Sequence, residues 1–331
     1  MTPSPRLAVL YIHGVEADND RFAETSIALL RREFARVAGA DADEALVVRT
    51  AYWGSVFQER QNELLRRVGA QPALGAFTVL DRLAAWAGRG YSLALLPAAA
   101  TIAARWLPGA PRFHYPTLRW LVTHFLGDAI TYEARPSDRE LYDRVHQIVA
   151  AALHELAEAA GPDAPLCIIA HSLGSVVISN FVWDLQVAAG LHPRRAGHDP
   201  VAEHVAAELG DTALERGETL AWLYTLGSPL ALWSQRYDDF GVPAAVPPPQ
   251  LVAHHPDLEG EWVNVWSADD VIALPLRDLN EAWGAVVRED RQVSVSPRWL
   301  GWTPAVHPFY WNDPTVMGPI ATTLAEAYRR L

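Results

Sequence analysis

Short, continuous apolar runs recur along the chain, and longer segments with one apolar face lie between them. Residues 7–12 form the first run, LAVLYI, and residues 166–170 form another, LCIIA. A strand that helices cover on both sides is apolar at every position, whereas a strand with one exposed face alternates. These two runs therefore predict buried strands of a parallel sheet.

The other predicted elements continue the same alternation. Four further strands are predicted at residues 45–53, 219–225, 262–266 and 292–295. Helices are predicted where apolar residues recur on one face, at residues 21–37, 137–156, 175–187 and 314–331. Ser137 and Glu140 have the spacing of a capping box at the start of the second helix. Strands that alternate with helices predict an α/β fold with a doubly wound, mostly parallel sheet.

Residues 75–127 interrupt this alternation with helical, Trp-bearing sequence. Within them, residues 90–104 are uncharged and apolar, and Arg89 and Arg105 flank them. At about 1.5 Å per residue this stretch would rise about 22 Å, too short for the roughly 30 Å core of a bilayer. We predict a helical cap or lid inserted in a single domain of residues 1–331, whose apolar face could contact a membrane peripherally. A core helix is the alternative explanation.

Composition narrows the class of protein. Apolar residues make up 50% of the 331 residues, which excludes a disordered chain because that fraction is enough to build a core. The formal net charge of −12, without a basic run, argues against nucleic-acid binding, which needs clustered Lys and Arg. Cys167 is the only cysteine, so the chain can form neither an internal disulfide nor a zinc site of several thiolates. No secretory signal or membrane-spanning run is predicted, and we expect a cytoplasmic protein.

The pentapeptide AHSLG at residues 170–174 joins a predicted strand to a predicted helix. This is the pattern of a nucleophile elbow, G-x-S-x-G, with Ala170 at the first small position. The central Ser172 must occupy a strained turn, and larger side chains two positions away would clash with the crossing backbone. The helix that follows directs its first N–H groups at developing negative charge. The pattern therefore predicts that Ser172 is a catalytic nucleophile.

A serine nucleophile needs a base and a group that orients the base, and on this kind of fold both follow the serine in the chain. Asp269 and Asp270 come directly after the predicted strand at residues 262–266, and either could orient a histidine. His307 lies in a loop ahead of the last predicted helix. This order predicts His307 as the general base, with one of the two aspartates as its partner.

The order of these motifs resembles the α/β-hydrolase superfamily, on its serine lipase and esterase side, near the inositol-deacylase branch. The matching phrases are HG at 13–14, AHSLG at 170–174, LYTLGSPL at 223–230, WVN at 262–264 leading to DDV at 269–271, and His307 followed by YW at 310–311. Residues 75–127 match no part of that family pattern, and the Ala at the first elbow position departs from it. The resemblance covers nearly all of the rest of the chain.

The resemblance implies roles for individual residues. The acid of the triad most often precedes an apolar residue, which favours Asp270 and keeps Asp269 as the alternative. An oxyanion hole is implied from two backbone N–H groups: that of Leu173 and one from the loop after the first strand. The second donor is Gly14 or Val15, and we favour Val15.

These residues together predict a serine hydrolase that cleaves carboxylic esters through an acyl-enzyme intermediate, with a small-molecule or lipid ester as substrate. A thioesterase, amidase or acyltransferase would use the same triad, and a non-catalytic binding protein could share the fold. The sequence contains neither a Walker A motif nor a dinucleotide-binding glycine fingerprint, so no phosphate or nicotinamide cofactor is implied. No metal is predicted either.

Overall fold

A computed structural model describes residues 6–14, 21–67, 127–133, 139–194, 200–295 and 304–331. The predicted cap at residues 75–127 lies outside these ranges, apart from Gly127. Val15, the favoured second oxyanion donor, also lies outside them. The architecture that follows is that of the described residues.

The described strands form one six-stranded sheet in which every pairing is parallel. The strand order is β2-β1-β3-β4-β5-β6. The strands are β1 (Leu7–Ile12), β2 (Leu46–Ala51), β3 (Leu166–His171), β4 (Leu220–Leu226), β5 (Glu261–Trp266) and β6 (Val287–Gln292). The predicted α/β class and parallel sheet are confirmed, and β3 lies between β1 and β4 near the middle of the sheet.

Helices flank the sheet, and most of the longer ones start within three residues of their predicted positions. They are α1 (Glu24–Ala38), α2 (Ala42–Ala45), α3 (Ser55–Arg67), α4 (Glu140–Ala160), α5 (Leu173–Ala188), α6 (Glu203–Ala206), α7 (Leu230–Ser234), α8 (Leu251–His254), α9 (Glu281–Val286) and α10 (Pro314–Tyr328). Residues 127–132 are also helical. Short 3₁₀ helices cover Asp238–Phe240, Arg277–Leu279 and Pro304–Asn312.

The sheet separates two apolar cores. One contains buried residues of α4 and α5, and the other contains buried residues of α1 and α10. Successive residues of β1 enter opposite cores: Ala8, Leu10 and Ile12 enter the first, and Leu7, Val9 and Tyr11 the second. Both faces of the strand are therefore buried, which explains why its sequence is apolar at every position. Among the helices of the described ranges, none combines the length and apolarity needed to cross a membrane.

The last strand was predicted at residues 292–295, and this prediction is wrong. The strand β6 occupies Val287–Gln292 and has the sequence VREDRQ, of which only Val287 is fully buried. It pairs only with β5 and forms one edge of the sheet. Charged residues are common on edge strands because they discourage pairing with another chain. An apolar run is therefore not a signature of this strand.

The helix predicted at residues 137–156 begins three residues later and ends four residues later, at Glu140–Ala160. Its N-cap residue is Arg139, which makes no side-chain capping bond, so Glu140 is the first residue of the helix and not the third, as the predicted capping box requires. Ser137, the other residue of that box, lies outside the described residues. The Arg139 guanidinium donates to the Asp143 carboxylate at 2.9 Å, across the first turn of the helix. A salt bridge at this spacing contributes a few tenths of a kcal/mol to the stability of a helix.

Close backbone packing between α5 and the end of β1 positions the turn that precedes α5. A Cβ atom added to Gly174 would lie 2.3 Å from the His13 carbonyl oxygen and 2.8 Å from that of Ile12. Both obstacles are backbone atoms in the middle of the sheet, so they cannot rotate away as a side chain would. Only glycine allows the first turn of α5 to approach β1 this closely.

We predict that Gly174→Ala lowers the free energy of unfolding by about 1–3 kcal/mol, because the added methyl group overpacks this crossing. Urea unfolding measures the change. Gly127→Ala is the matched control, since an added Cβ there meets no atom of the described residues within 4 Å. It should change the stability by less than about 1 kcal/mol. Equal stability of wild type and Gly174→Ala would contradict the close approach.

Candidate active site

Ser172 occupies the turn between β3 and α5 with φ 52° and ψ −131°, a positive φ that non-glycine residues rarely adopt. Such a conformation costs on the order of 1–3 kcal/mol and persists only where the surroundings impose it. Here the Ser172 N–H donates to the Leu226 carbonyl at 2.9 Å, and the Ser172 carbonyl accepts from the Ser175 N–H at 2.9 Å. The sheet holds one side of the residue and the helix holds the other.

The small residues around Ser172 leave room for this turn. A Cβ atom on Gly14 would lie 2.4 Å from the Ser172 Cβ and 3.0 Å from its Oγ. Ala170 is fully buried and pairs with Ile12 on one side and Thr225 on the other. An alanine therefore fits the first small position of the elbow, as the sequence analysis expected.

The structure brings Ser172, His307 and Asp270 together in one hydrogen-bonded chain. His307 Nε2 lies 2.7 Å from Ser172 Oγ, and His307 Nδ1 lies 2.7 Å from Asp270 Oδ2. A carboxylate only accepts, so Nδ1 carries the proton donated to Asp270, and Nε2 accepts from the serine hydroxyl. Chemically, this arrangement is able to activate a serine hydroxyl as a nucleophile, with the histidine as its base. Ser172 is 2% exposed and Asp270 4% exposed, so both act away from bulk water.

Asp270 is held as a carboxylate by its hydrogen-bond donors. Burial alone raises its pKa, but His307, the Ile272 N–H and the Tyr310 hydroxyl outweigh that effect and leave the pKa below its usual value. The Ile272 N–H donates to Oδ1 at 3.2 Å, and the Tyr310 hydroxyl donates to Oδ2 at 3.0 Å. The same Tyr310 oxygen accepts from the Ser267 N–H at 2.9 Å. Tyr310 thus connects the acid to the loop that bears it.

Asp269, the alternative acid, lies outside this network. Its side chain is exposed, and its backbone N–H donates to the Ser267 hydroxyl at 3.4 Å. Successive residues of the tight turn after β5 point in different directions, so the two neighbouring aspartates have opposite environments. The structure places only Asp270 beside His307.

Gly227, at the end of β4, leaves the space in which the acid and base meet. Its φ is +57°, and an added Cβ would lie 2.8 Å from the Tyr310 ring, 3.1 Å from His307 Cε1 and 3.2 Å from Asp270 Oδ2. Any larger residue at this position would be strained and would also push the acid and base apart.

Two further histidines surround the site and stay neutral. His171, the residue before the nucleophile, has its Nε2 atom 2.8 Å from the His307 carbonyl oxygen, to which it donates. Burial, with a contribution from neighbouring His307, lowers the pKa of His171 to about 3. His171 therefore anchors the backbone of the base without adding charge to the site.

His13 fixes the loop after β1 in a similar way. Its Nε2 accepts from the backbone N–H groups of Trp53 at 2.9 Å and Gly54 at 3.3 Å, which assigns the proton to Nδ1. Nδ1 then donates to the Gly14 carbonyl at 2.5 Å. Burial lowers the pKa of His13 to about 3, so this tautomer persists at neutral pH. Gly14 is thereby held beside Ser172.

Of the three residues predicted as oxyanion donors, the structure describes Leu173 and Gly14. Leu173 is the first residue of α5, where backbone N–H groups have no partner within the helix, and it directly follows Ser172. Gly14 lies against the serine side chain. Val15 is outside the described residues.

Three residues that the structure places at the site have no role predicted from the sequence. Two of them, His13 and His171, belong to the HG and AHSLG motifs and are the residues directly before Gly14 and Ser172. Tyr310 follows His307 by one turn of the 3₁₀ helix Pro304–Asn312, and residues at this spacing lie on the same side of such a helix. Position within a motif was the available signal in each case. Across the ranges that the structure covers, no cluster of three or more His, Cys, Asp or Glu side chains could hold a metal ion.

Comparison of the chain with protein-family models, with curated proteins and with solved structures finds no significant match. The geometry of the site is therefore the basis on which a function can be proposed.

We predict that Asp270→Asn slows the reaction of Ser172 with a fluorophosphonate probe by about 10³–10⁴-fold, because asparagine favours the wrong tautomer of the partner histidine. Asp269→Asn is the matched control and should react within twofold of wild type. Labelling rates, followed by mass spectrometry of the intact protein, measure both. A larger loss at Asp269 would reverse the assignment of the acid.

A second prediction concerns pH. His13 and His171 have pKa values of about 3 in the folded protein, against about 6.5 in an unfolded chain. Below about pH 6.5 the unfolded state therefore binds more protons than the folded state, and stability falls as the pH falls. Each histidine should lower the free energy of unfolding by up to about 1.4 kcal/mol for each unit by which the pH falls. Urea unfolding at pH 7.5 and 5.5 measures the loss.

The same two histidines should show constant Cε1–H chemical shifts by NMR between pH 8 and 5. His154 is the internal control, since its half-exposed ring lies beside Glu215, whose hydrogen bond raises its pKa. Its signal should titrate. Titration of His171 within this range would show that it is not held neutral.

Proposed function

We propose that the chain is a serine hydrolase of the α/β-hydrolase superfamily that cleaves carboxylic esters. One observation supports this above all: the Ser172–His307–Asp270 chain, with both hydrogen bonds at 2.7 Å, on a serine whose backbone is strained between a central parallel strand and a helix. The strained turn presents the hydroxyl at the carboxyl ends of the strands, where open α/β sheets bind their ligands.

In the first half of the proposed reaction, the Ser172 Oγ attacks the ester carbonyl carbon while His307 Nε2 takes its proton. The carbonyl oxygen becomes an oxyanion, which the Leu173 N–H stabilises together with a donor from the loop that begins at Gly14. The tetrahedral intermediate collapses, the bond to the alcohol oxygen breaks, and the imidazolium returns its proton to that oxygen. The products are the free alcohol and the acyl-enzyme.

In the second half, water takes the place of the alcohol. His307 removes a proton from the water as its oxygen attacks the acyl carbon, and then returns that proton to Ser172 Oγ as the carboxylic acid leaves. Asp270 stays ionised throughout and stabilises the imidazolium in each half. The hydroxyl of Tyr310 and the N–H of Ile272 keep this carboxylate in position.

Exposed apolar side chains near the site favour an ester with an apolar group. Val271 directly follows Asp270 and is 70% exposed, and Leu274 in the same loop is 38% exposed. Leu232 lies in α7, shortly after the end of β4, and is 37% exposed. The loops after β4 and β5 leave the same edge of the parallel sheet as Ser172, so these side chains belong to loops at that edge. We propose a small-molecule or lipid ester as the substrate.

We predict that Ser172→Ala and His307→Ala each lower the kcat for p-nitrophenyl butyrate hydrolysis by about 10³-fold or more, since triad members act as a unit. His255→Ala is the control, because that half-buried histidine is bonded to the Asp163 carbonyl, and both residues precede strands and so lie toward the opposite edge of the sheet. It should keep the wild-type rate. A fluorophosphonate should label wild type at Ser172 alone.

Circular dichroism shows whether each variant is folded. If folded Ser172→Ala kept most of the wild-type rate, Ser172 would not be the nucleophile. If folded wild type neither hydrolysed the ester nor reacted with the probe, the chain would be a binding protein on a hydrolase-like fold.

A further inference from the structure

The carbonyl of the nucleophile itself is the end point of a buried chain of hydroxyl groups. We propose that Ser175 and Ser228 are positioning residues that orient the peptide group between Ser172 and Leu173 and thereby direct the Leu173 N–H into the oxyanion hole. This inference rests on the proposed function, because it assigns the device that supports that hole.

The hydrogen bonds of the chain have one direction. Ser175 Oγ lies 2.6 Å from the Ser172 carbonyl oxygen and can only donate to it. Its single proton is then used, so Ser228 Oγ, 2.7 Å away, must be the donor to Ser175 Oγ. Ser228 Oγ in turn accepts from the Leu230 N–H at 3.2 Å. The chain therefore runs from the backbone of α7 through two hydroxyl groups to the nucleophile's carbonyl.

A restraint on the Ser172 carbonyl also restrains the N–H of Leu173, which belongs to the same peptide group. A trans peptide group is planar, and its C=O and N–H bonds point in opposite directions. The Ser172 carbonyl accepts from both the Ser175 N–H, at 2.9 Å, and the Ser175 hydroxyl. Two donors on one oxygen fix the plane of the peptide, and so they fix the direction of the Leu173 N–H.

The backbone strain at Ser172 makes this restraint necessary. With φ at 52°, the residue lies in a region that it leaves readily unless its neighbours hold it. Rotation of the peptide plane would relieve the strain and turn the Leu173 N–H away from the substrate carbonyl. A hydrogen bond to the carbonyl opposes that rotation directly.

Burial strengthens the hydrogen bonds of this chain. Ser175 and Ser228 are both fully buried, so the bonds act at low local dielectric and water does not compete with them. Bonds in such a directional chain polarise one another. A carbonyl that accepts two hydrogen bonds withdraws electron density from its amide nitrogen, which makes the Leu173 N–H a better donor to an oxyanion.

The residue types are also informative. α5 is otherwise apolar through its first turns, with Leu173, Val176, Val177 and Ile178 buried. Serine is less favourable than alanine within a helix, because its hydroxyl competes for backbone groups. A buried serine at position 175 that bonds the nucleophile's carbonyl and a second buried serine is better explained by that contact than by packing.

The experiment is a double-mutant cycle on kcat for p-nitrophenyl butyrate. Ser175→Ala should lower kcat by about 10- to 100-fold, less than the roughly 10²–10³-fold that loss of a whole oxyanion donor costs. KM should stay within twofold. Ser228→Ala should have a smaller effect, because the Ser175 hydroxyl still reaches the carbonyl. The double variant should match Ser175→Ala alone, since the two groups act in series.

A transition-state analogue separates positioning from packing. A trifluoromethyl ketone forms an oxyanion with the active serine, so its inhibition constant should rise in each variant by the factor that kcat falls. Ser234→Ala is the matched control: its hydroxyl also donates to the carbonyl three residues earlier, Ala231, at 2.8 Å, and it is buried. That variant should lose similar stability but keep its kcat. Ser175→Cys, with a weak S–H donor of similar size, should be intermediate.

Several results would overturn the proposal. These are an unchanged kcat in Ser175→Ala, losses of kcat that multiply in the double variant, or a change in KM with kcat unchanged. If Ser175→Ala does not fold, Ser175→Cys and Ser228→Ala decide by the same measurements. An inactive wild type that does not react with a fluorophosphonate would instead contradict the proposed function, and the two failures are thereby distinct.

Discussion

The positive φ of Ser172 is the constraint on which the whole site depends. The chain leaves β3 and enters α5 within a single residue, so the serine must project from the sheet while its backbone stays bonded to both neighbours. Gly14 and Gly174 are needed because the end of β1 lies close to this turn: a Cβ on Gly14 would meet Ser172, and a Cβ on Gly174 would meet the carbonyl oxygens of Ile12 and His13. Strain of this kind is stable only in rigid surroundings, and the two apolar cores provide them.

Parallel topology brings the other groups to the same place. All six strands run in one direction, so their carboxyl ends meet at one edge. The segments that follow β1, β3, β4 and β5 begin with His13 and Gly14, with Ser172, with Gly227, and with the loop that contains Asp270. His307 comes from the chain beyond the sheet and is tied to it by His171 and Asp270. Each residue of the proposed triad is thus positioned by a different element, which makes the geometry a property of the whole fold.

Most strands of the sheet and the turn at Ser172 were predictable from local sequence pattern, whereas the contacts that complete the site were not. The strands of the core and the elbow could be predicted, because burial on both faces and a tight strand-to-helix turn each restrict the residue types. Asp270 and Asp269 could not be separated by spacing, since the choice depends on how the turn after β5 directs each side chain. Contacts between distant segments, such as the bond of Tyr310 to Asp270, cannot be predicted from spacing, although the place of Tyr310 in the motif after His307 pointed to the site. β6 was misplaced because an edge strand has little apolar pattern.

The placement of the histidines shows how the fold controls charge. Burial favours the neutral forms of His13 and His171, and each uses its one N–H to hold a backbone carbonyl. His307 differs, because its side chain is 20% exposed and its Nδ1 faces a carboxylate that stabilises an imidazolium. In the proposed reaction, a proton released by Ser172 therefore has one acceptor. The two neutral histidines beside it supply rigidity without a competing charge.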